Sequence, residues 1–137
     1  MTSLKGGCLC GLISYEIKSE PAMTAICHCK DCQKQTGTTF SIVLGVSPDK
    51  VSVSGNSRIF TTKGETGANV HRHFCSTCGS PIFSDASDSF GLYFIKAGTL
   101  DDTSGLKPEL ELFCEEAQDW CKLESNWPKS PRNPVTG

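Results

Sequence analysis

The stretch CHCKDCQKQTG, residues 27–37, sets Cys27, Cys29 and Cys32 within six positions. In an extended segment, residues i and i+2 point to the same face, so a C-x-C pair can aim both sulfurs at one ion. In C-x-x-C the chain must turn, and both thiolates then meet a metal from one knuckle. Two further clusters repeat these spacings: CLCG with Cys8 and Cys10, and CSTCG with Cys75 and Cys78. A glycine follows each outer pair, Gly11 and Gly79, where the backbone needs a tight turn. Thiolates are soft ligands, and zinc accepts four of them tetrahedrally without redox chemistry. Seven thiols divide most simply as four plus three. Cys8, Cys10, Cys75 and Cys78 make a closed tetrathiolate site, which is the structural pattern. Cys27, Cys29 and Cys32 make a three-ligand site with an open vertex, which is the pattern of catalytic zinc.

Other assignments of the same residues stay open. The triplet could recruit His28, Cys114 or Cys121 as a fourth ligand and become structural. His28 lies between two ligands in an extended run, so its side chain should point away from the ion. Cys114 and Cys121 lack ligand spacing and read as small buried hydrophobes. His71 or His73 could form a catalytic pair with a thiol, although each reads more simply as a satisfied sheet or surface histidine. An iron–sulfur cluster is the main rival to zinc, since four cysteines also serve it. Lys30, Lys34, Arg72, His71 and His73 lie near the clusters in sequence. They could meet substrate carboxylates, and each equally reads as a solvated charge. Three anionic sulfurs leave the open zinc at a net charge of about –1, which weakens its Lewis acidity. Capture and orientation of a substrate thiol is therefore favoured over strong carbonyl activation.

The elements that must position these thiols read mostly as short strands. LISYEI alternates, with Ile13, Tyr15 and Ile17 on one face. TFSIVLGV is β-branched and apolar and reads as buried on both faces. KVSVSG ends on Gly55, and SRIFTTK, NVHRHFC, PIFSD and FGLYFIKAG continue at the spacing of an all-β domain. ELELFCEE alternates again, placing Leu110, Leu112 and Cys114 on one face. Helix is expected only for a turn or so across Lys30 to Gln35 and around Glu115 to Glu124. The 137 residues suit one domain, and 37% hydrophobic with 20% charged residues suits a globular chain. A formal net charge of –2 gives no field that recruits nucleic acid or an anionic membrane. No apolar run approaches the roughly 20 residues of a membrane helix. The first residues lack the apolar stretch of a signal peptide, so a cytoplasmic protein is expected. Nine cysteines, an odd number, in a chain of that kind point to metal rather than to disulfides. The zinc-binding domain is expected over residues 4–124. The tail at 125–137, with Pro128, Pro131 and Pro134, should be extended or disordered.

The set GGCLCGLISYEI, CHCKDCQKQTGTTF, HRHFCSTCGSPIF and AGTLDD resembles the GFA family, named for glutathione-dependent formaldehyde-activating enzyme and grouped with centromere protein V. The likeness runs from about Leu4 to Leu123. It implies a mostly antiparallel β-tent fold organised around a structural zinc, with two zinc ions per chain. Carried over by motif, Cys8, Cys10, Cys75 and Cys78 match the structural ligands, and Cys27, Cys29 and Cys32 match those of the catalytic zinc. The resemblance implies a carbon–sulfur lyase that joins glutathione, or a similar small thiol, to formaldehyde, or releases it. Where many members carry an apolar-Pro-Trp segment, this chain has AQDWCK and keeps Trp120 without the proline. The competing class is a non-enzymatic zinc module for a protein partner. The family's fold is similar to that of a small guanine-nucleotide-exchange protein, but such a module needs one closed site rather than three extra thiols.

Overall fold

A computed structural model describes residues 3–123 and 126–132. Ten strands carry the fold: β1 (Leu4–Gly7), β2 (Ser14–Ile17), β3 (Met23–Cys27), β4 (Ser41–Val46), β5 (Val51–Ser54), β6 (Ser57–Lys63), β7 (Asn69–Cys75), β8 (Pro81–Ala86), β9 (Leu92–Lys96) and β10 (Leu110–Leu112). Two short helices join them, α1 (Lys30–Thr36) and α2 (Ser87–Phe90). A three-stranded sheet has the order β1-β2-β5, and a seven-stranded sheet runs β10-β3-β4-β9-β8-β7-β6. Every pair is antiparallel except β10 with β3, which is parallel. The expectation of antiparallel sheets is thus met with one exception at an edge. There the chain returns through a long loop rather than a hairpin.

Cross-strand partners share a face, so the register sorts the large sheet into two sides. Leu44 opposes Ile95, and Ile95 opposes Phe83. These meet Ile13, Tyr15 and Ile17 of β2 and its approach, which makes the main core. Ile13, Ile17, Leu44, Ile82 and Ile95 are all less than 2% exposed. Burial of each such side chain is worth about 1.5–3 kcal/mol. On the other side Cys27 opposes Ser41, Val43 opposes Lys96, and Gly45, Phe94, Ser84 and Arg72 follow across the strands. A second, smaller core of Ala25, Cys27, Cys32, Val43 and Leu112 lies there.

Three local readings of the sequence differ from the structure. β10 ends at Leu112 because Phe113 takes a left-handed conformation, φ 55°, and a 3-10 turn follows at Cys114–Glu116. Cys114 therefore does not share the Leu110 and Leu112 face. No α-helix forms beyond that turn among the described residues. The helical turn at Ser87–Phe90 has no periodic apolar signal and was not expected. The described part of the tail, 126–132, lies along β10: Glu111 N–H donates to Pro128 O, and Ser130 N–H donates to Glu111 O. Pro134 lies outside the described residues. Among those described, no helix is long and apolar enough to cross a membrane.

Candidate metal centres and active site

Cys8 and Cys10 sit in the turn between β1 and β2, while Cys75 ends β7 and Cys78 lies in the turn to β8. Gly11 and Gly79 follow at φ 84° and 80°, the left-handed region that the tight turns require. The four Sγ atoms lie within 4.8 Å of one another. Cys8 is 3.7 Å from Cys10, and Cys10 is 3.8 Å from Cys75. A disulfide would need about 2 Å. A tetrahedron built on zinc–sulfur bonds of about 2.3 Å has edges near 3.8 Å, so the donor set fits that ion. Backbone donors already point at the sulfurs: Ile13 N–H at Cys8 (3.2 Å), and the N–H groups of Thr77 (3.4 Å) and Cys78 (3.5 Å) at Cys75. Such donors favour the thiolate. The Ser80 hydroxyl, with backbone N–H groups, draws Cys78 down to about 5. Ile13 N–H similarly lowers Cys8. A backbone donor draws Cys10 down, but burial and the neighbouring thiols push it up to about 11. The cluster is thus poised between charge and crowding, a conflict that a divalent cation resolves.

Cys27 ends β3, Cys29 caps α1, and Cys32 lies in its first turn. Cys29 Sγ accepts the Cys32 N–H at 3.2 Å, and Cys32 Sγ lies 3.6 Å from Cys27 Sγ. The three sulfurs fall within 4.8 Å of one another, and among the described residues no fourth Cys, His or carboxylate joins them. Hydrogen bonds from Cys27 and Cys29 hold Cys32 well below the ordinary thiol range, and the charges of Lys96 and Arg72 lower it further. Cys27 is pushed up by Cys29, by Cys32 and by burial. Cys29, though drawn down by Cys27, is pushed up by Cys32 and by burial to about 11.

The segment after β10 holds this knuckle in place. His28 N–H donates to Leu112 O at 3.0 Å. Gln33 Nε2 donates to His28 O (2.6 Å) and Glu116 O (3.0 Å). Lys30 N–H donates to Glu116 Oε1 at 2.9 Å. As expected for a residue between two ligands, His28 turns away from the sulfurs. It is buried, with Nε2 2.9 Å from Glu111 Oε1. Trp127 Nε1 donates to Glu111 Oε2 at 2.8 Å, and Lys129 Nζ lies 3.4 Å from the same oxygen. Cys114 lies within 4.8 Å of this pair, and Glu111 bonds His28 and accepts from Trp127.

Above the triplet opens a cavity of about 510 Å³. Cys27, Cys29 and Cys32 line it, Met23, Val43 and Phe94 give an apolar floor, and Arg72, Ser84 and Lys96 line it as well, with Lys96 and Arg72 close enough to lower Cys32. Arg132 closes the rim, paired with Glu65, Glu115 and Glu116 and lying over the Phe113 ring at 5.2 Å. The four-thiol cluster does not line this cavity. His71 and His73 also lie elsewhere: His71 bonds Thr61, and His73 bonds Ser57 and stacks on Phe83 at 4.1 Å. Lys34 and Trp120 do not line it, and Trp120 is 74% exposed. Cys121 Sγ is 3.5 Å from Thr39 Oγ1, away from both thiol clusters. Of the cations near the clusters in sequence, Arg72 and Lys30 reach the cavity, and Arg72 is buried. Sequence reasoning missed Ser84, Lys96, Glu111 and Arg132. Only the register of distant strands brings the first two beside the thiols.

Residues 3–116 match the family model described as glutathione-dependent formaldehyde-activating enzyme. A relative from Talaromyces marneffei, provisionally named as such an enzyme, is 30% identical over 77% of this chain and 58% of its own length. One from Podospora anserina with the same provisional name is 29% identical over 81% of this chain and 55% of its own. The chain thus spans little more than half of these two fungal relatives. A third, from Halomonas elongata, also so named, is 28% identical over 89% of this chain and 82% of its own. A crystal structure of a Rhodobacter sphaeroides protein shares the fold, with a TM-score of 0.57 at 20% identity over 91% of this chain and 98% of that one.

Proposed function

The chain belongs to the glutathione-dependent formaldehyde-activating enzyme family, and from that premise we propose that it is a zinc-dependent carbon–sulfur lyase joining a small thiol to an aldehyde, or parting them. Glutathione and formaldehyde are the first candidates, since the names of the relatives carry them. In this reading Cys8, Cys10, Cys75 and Cys78 hold a structural zinc, and Cys27, Cys29 and Cys32 hold a second one that reacts. The observation that carries the assignment is positional: three converging thiols without a fourth protein ligand form one end of a cavity, while the four-thiol cluster lies outside it. A zinc held there by Cys27, Cys29 and Cys32 would lower the pKa of a bound substrate thiol, so that it would be ionised at neutral pH.

The chain's own residues then orient and enclose. The apolar floor of Met23, Val43 and Phe94 excludes water from one side, and Arg132 with its carboxylates frames the mouth. In the addition, a sulfur lone pair forms a bond to the carbonyl carbon. The C=O π pair moves onto oxygen, and that oxygen takes a proton equivalent to the one the thiol gave up. The lyase direction reverses each step. Holding two reactants together can supply several kcal/mol of the barrier, up to roughly 7–11 in ideal geometry. A module that only docks a protein partner has no use for an open triplet in a cavity.

Cobalt in place of zinc gives the test. Glutathione added to the cobalt-loaded chain should shift the absorption bands and release about one proton per thiol, because the ligating form is the thiolate. With formaldehyde present, S-hydroxymethylglutathione should form faster than in buffer. A spectrum that glutathione and cysteine leave unchanged would remove the open-vertex reading. Binding without faster turnover would retain the site and discard the named substrates.

A further inference from the structure

The cavity wall beside the triplet carries two buried cations, which also lower the Cys32 thiol. Arg72 is 7% exposed and Lys96 5% exposed, both facing the same space as the triplet. Lys96 Nζ donates to Ser41 Oγ at 3.2 Å, and Ser41 is the cross-strand partner of Cys27. Arg72 Nε donates to Thr62 Oγ1 at 3.1 Å, and its NH2 lies 3.8 Å from Asp31 beside Cys32. Asp31 is more than half exposed, so it offsets a buried guanidinium only weakly. Between the two cations Ser84, the direct partner of Arg72 across β7 and β8, buries an Oγ with no hydrogen-bond partner among the described residues. A buried hydroxyl without a partner costs free energy that a ligand can recover.

Charge completes the picture. Three thiolates around a divalent ion leave one negative charge, and two buried cations more than offset it. This part of the cavity is then positive and suits an anion beyond the one thiolate at the vertex. The guanidinium fork matches a carboxylate in two parallel hydrogen bonds, with the serine hydroxyl and the ammonium as further donors.

We infer that Arg72, Ser84 and Lys96 form an anion subsite that selects thiols bearing a carboxylate on the same small molecule. This rests on the capture of a thiol by the Cys27, Cys29 and Cys32 centre. The rival role for the two cations is to neutralise the thiolates, in which case any thiol would benefit from them equally.

Calorimetry on the zinc-loaded full chain separates the two. Mercaptoacetate, 3-mercaptopropionate and 4-mercaptobutyrate are compared with the mercapto-alcohols of the same lengths. At the length that spans the cavity, the carboxylate thiol should bind about ten- to hundredfold more tightly than its alcohol. That ratio should collapse toward one in Arg72→Gln and Lys96→Met. It should fall severalfold in Ser84→Ala, the mildest change and the least apt to disturb folding. Arg72→Lys, which keeps charge but not the fork, should retain part of it. Equal binding of acids and alcohols by the parent overturns the subsite while leaving thiol capture intact. So do variants that weaken both kinds of thiol by the same factor. If no thiol of either kind binds, thiol capture and the subsite fall together.

Discussion

Single side chains separate the two thiol clusters more sharply than spacing does. Cys29 caps α1 through its sulfur, and serine is itself a good cap. Cys29→Ser should therefore keep the helix and the fold while losing one of two zinc ions, measured by elemental analysis and circular dichroism. Cys75 is fully buried at the junction of β7 with the main core. Cys75→Ser removes a ligand that no neighbour replaces, and the chain should be insoluble or unfolded. Equal melting of both variants with the parent would refute the division of labour. A histidine gives the acid limb. Burial holds His73 below its ordinary 6.5, with His71 adding repulsion and Asp85 opposing it. The unfolded chain takes up that proton near pH 6.5, and the folded chain resists it. Stability linked to His73 is thus present above pH 6.5 and lost as pH falls through the lower folded value. The melting temperature of the parent relative to His73→Gln should decline from pH 7 to pH 5.5. A constant difference would mean that His73 titrates freely when folded.

At the scale of elements, the segment after Glu109 matters more than its length suggests. β10 pairs in parallel with β3, and the residues beyond it grip the knuckle of the triplet through Gln33 and Lys30. Glu111 anchors this arrangement beneath the surface, accepting from Trp127 and bonding His28. Glu111→Ala leaves a buried imidazole and an indole N–H without that acceptor. It should cost about 3–5 kcal/mol by denaturant titration, with Glu111→Gln costing less because it keeps an oxygen. A loss under 1 kcal/mol in the alanine variant would show the network to be incidental. None of this is legible in ELELF, where alternation assigns Glu111 to solvent. Local signals do survive. The thiol clusters are read from spacing because their ligands are neighbours in sequence. β2 is read from alternation because Tyr15 and Ile17 bury one face, and β4 from its β-branched apolar run because nearly all of it is buried. Lys96 and Ser84 are not legible, because only the order β3-β4-β9-β8 sets them on one face with Cys27. Phe113, with φ 55°, ends β10 with no glycine or proline to announce it.

For the whole molecule, the four-thiol cluster, once metallated as proposed, would act as a staple between sheets. Cys8 and Cys10 come from the turn of the small sheet, and Cys75 and Cys78 from the β7–β8 turn of the large one. Leu9 N–H bonds Ser80 Oγ at 3.0 Å, so the two knuckles touch even apart from sulfur. The sheets also share the core of Ile13, Tyr15 and Ile17 against Leu44 and Ile95. A domain of this size is stable by about 5–15 kcal/mol, and a structural zinc contributes on the order of 10 kcal/mol to folding. With the proposed structural zinc in place, the core alone would be insufficient or marginal, and removal of the closed-site metal should be inseparable from unfolding. The open site has one fewer protein ligand and lies in a cavity, so it should release its metal first. Titration with a strong chromophoric chelator should give two phases. In the first, one equivalent leaves with the far-ultraviolet dichroism unchanged and with thiol binding lost. In the second, the remaining equivalent leaves together with the β signal, at a rate that denaturant accelerates. If both equivalents leave while the dichroism persists, the two sheets hold together through their apolar contacts alone, and the staple has no structural role.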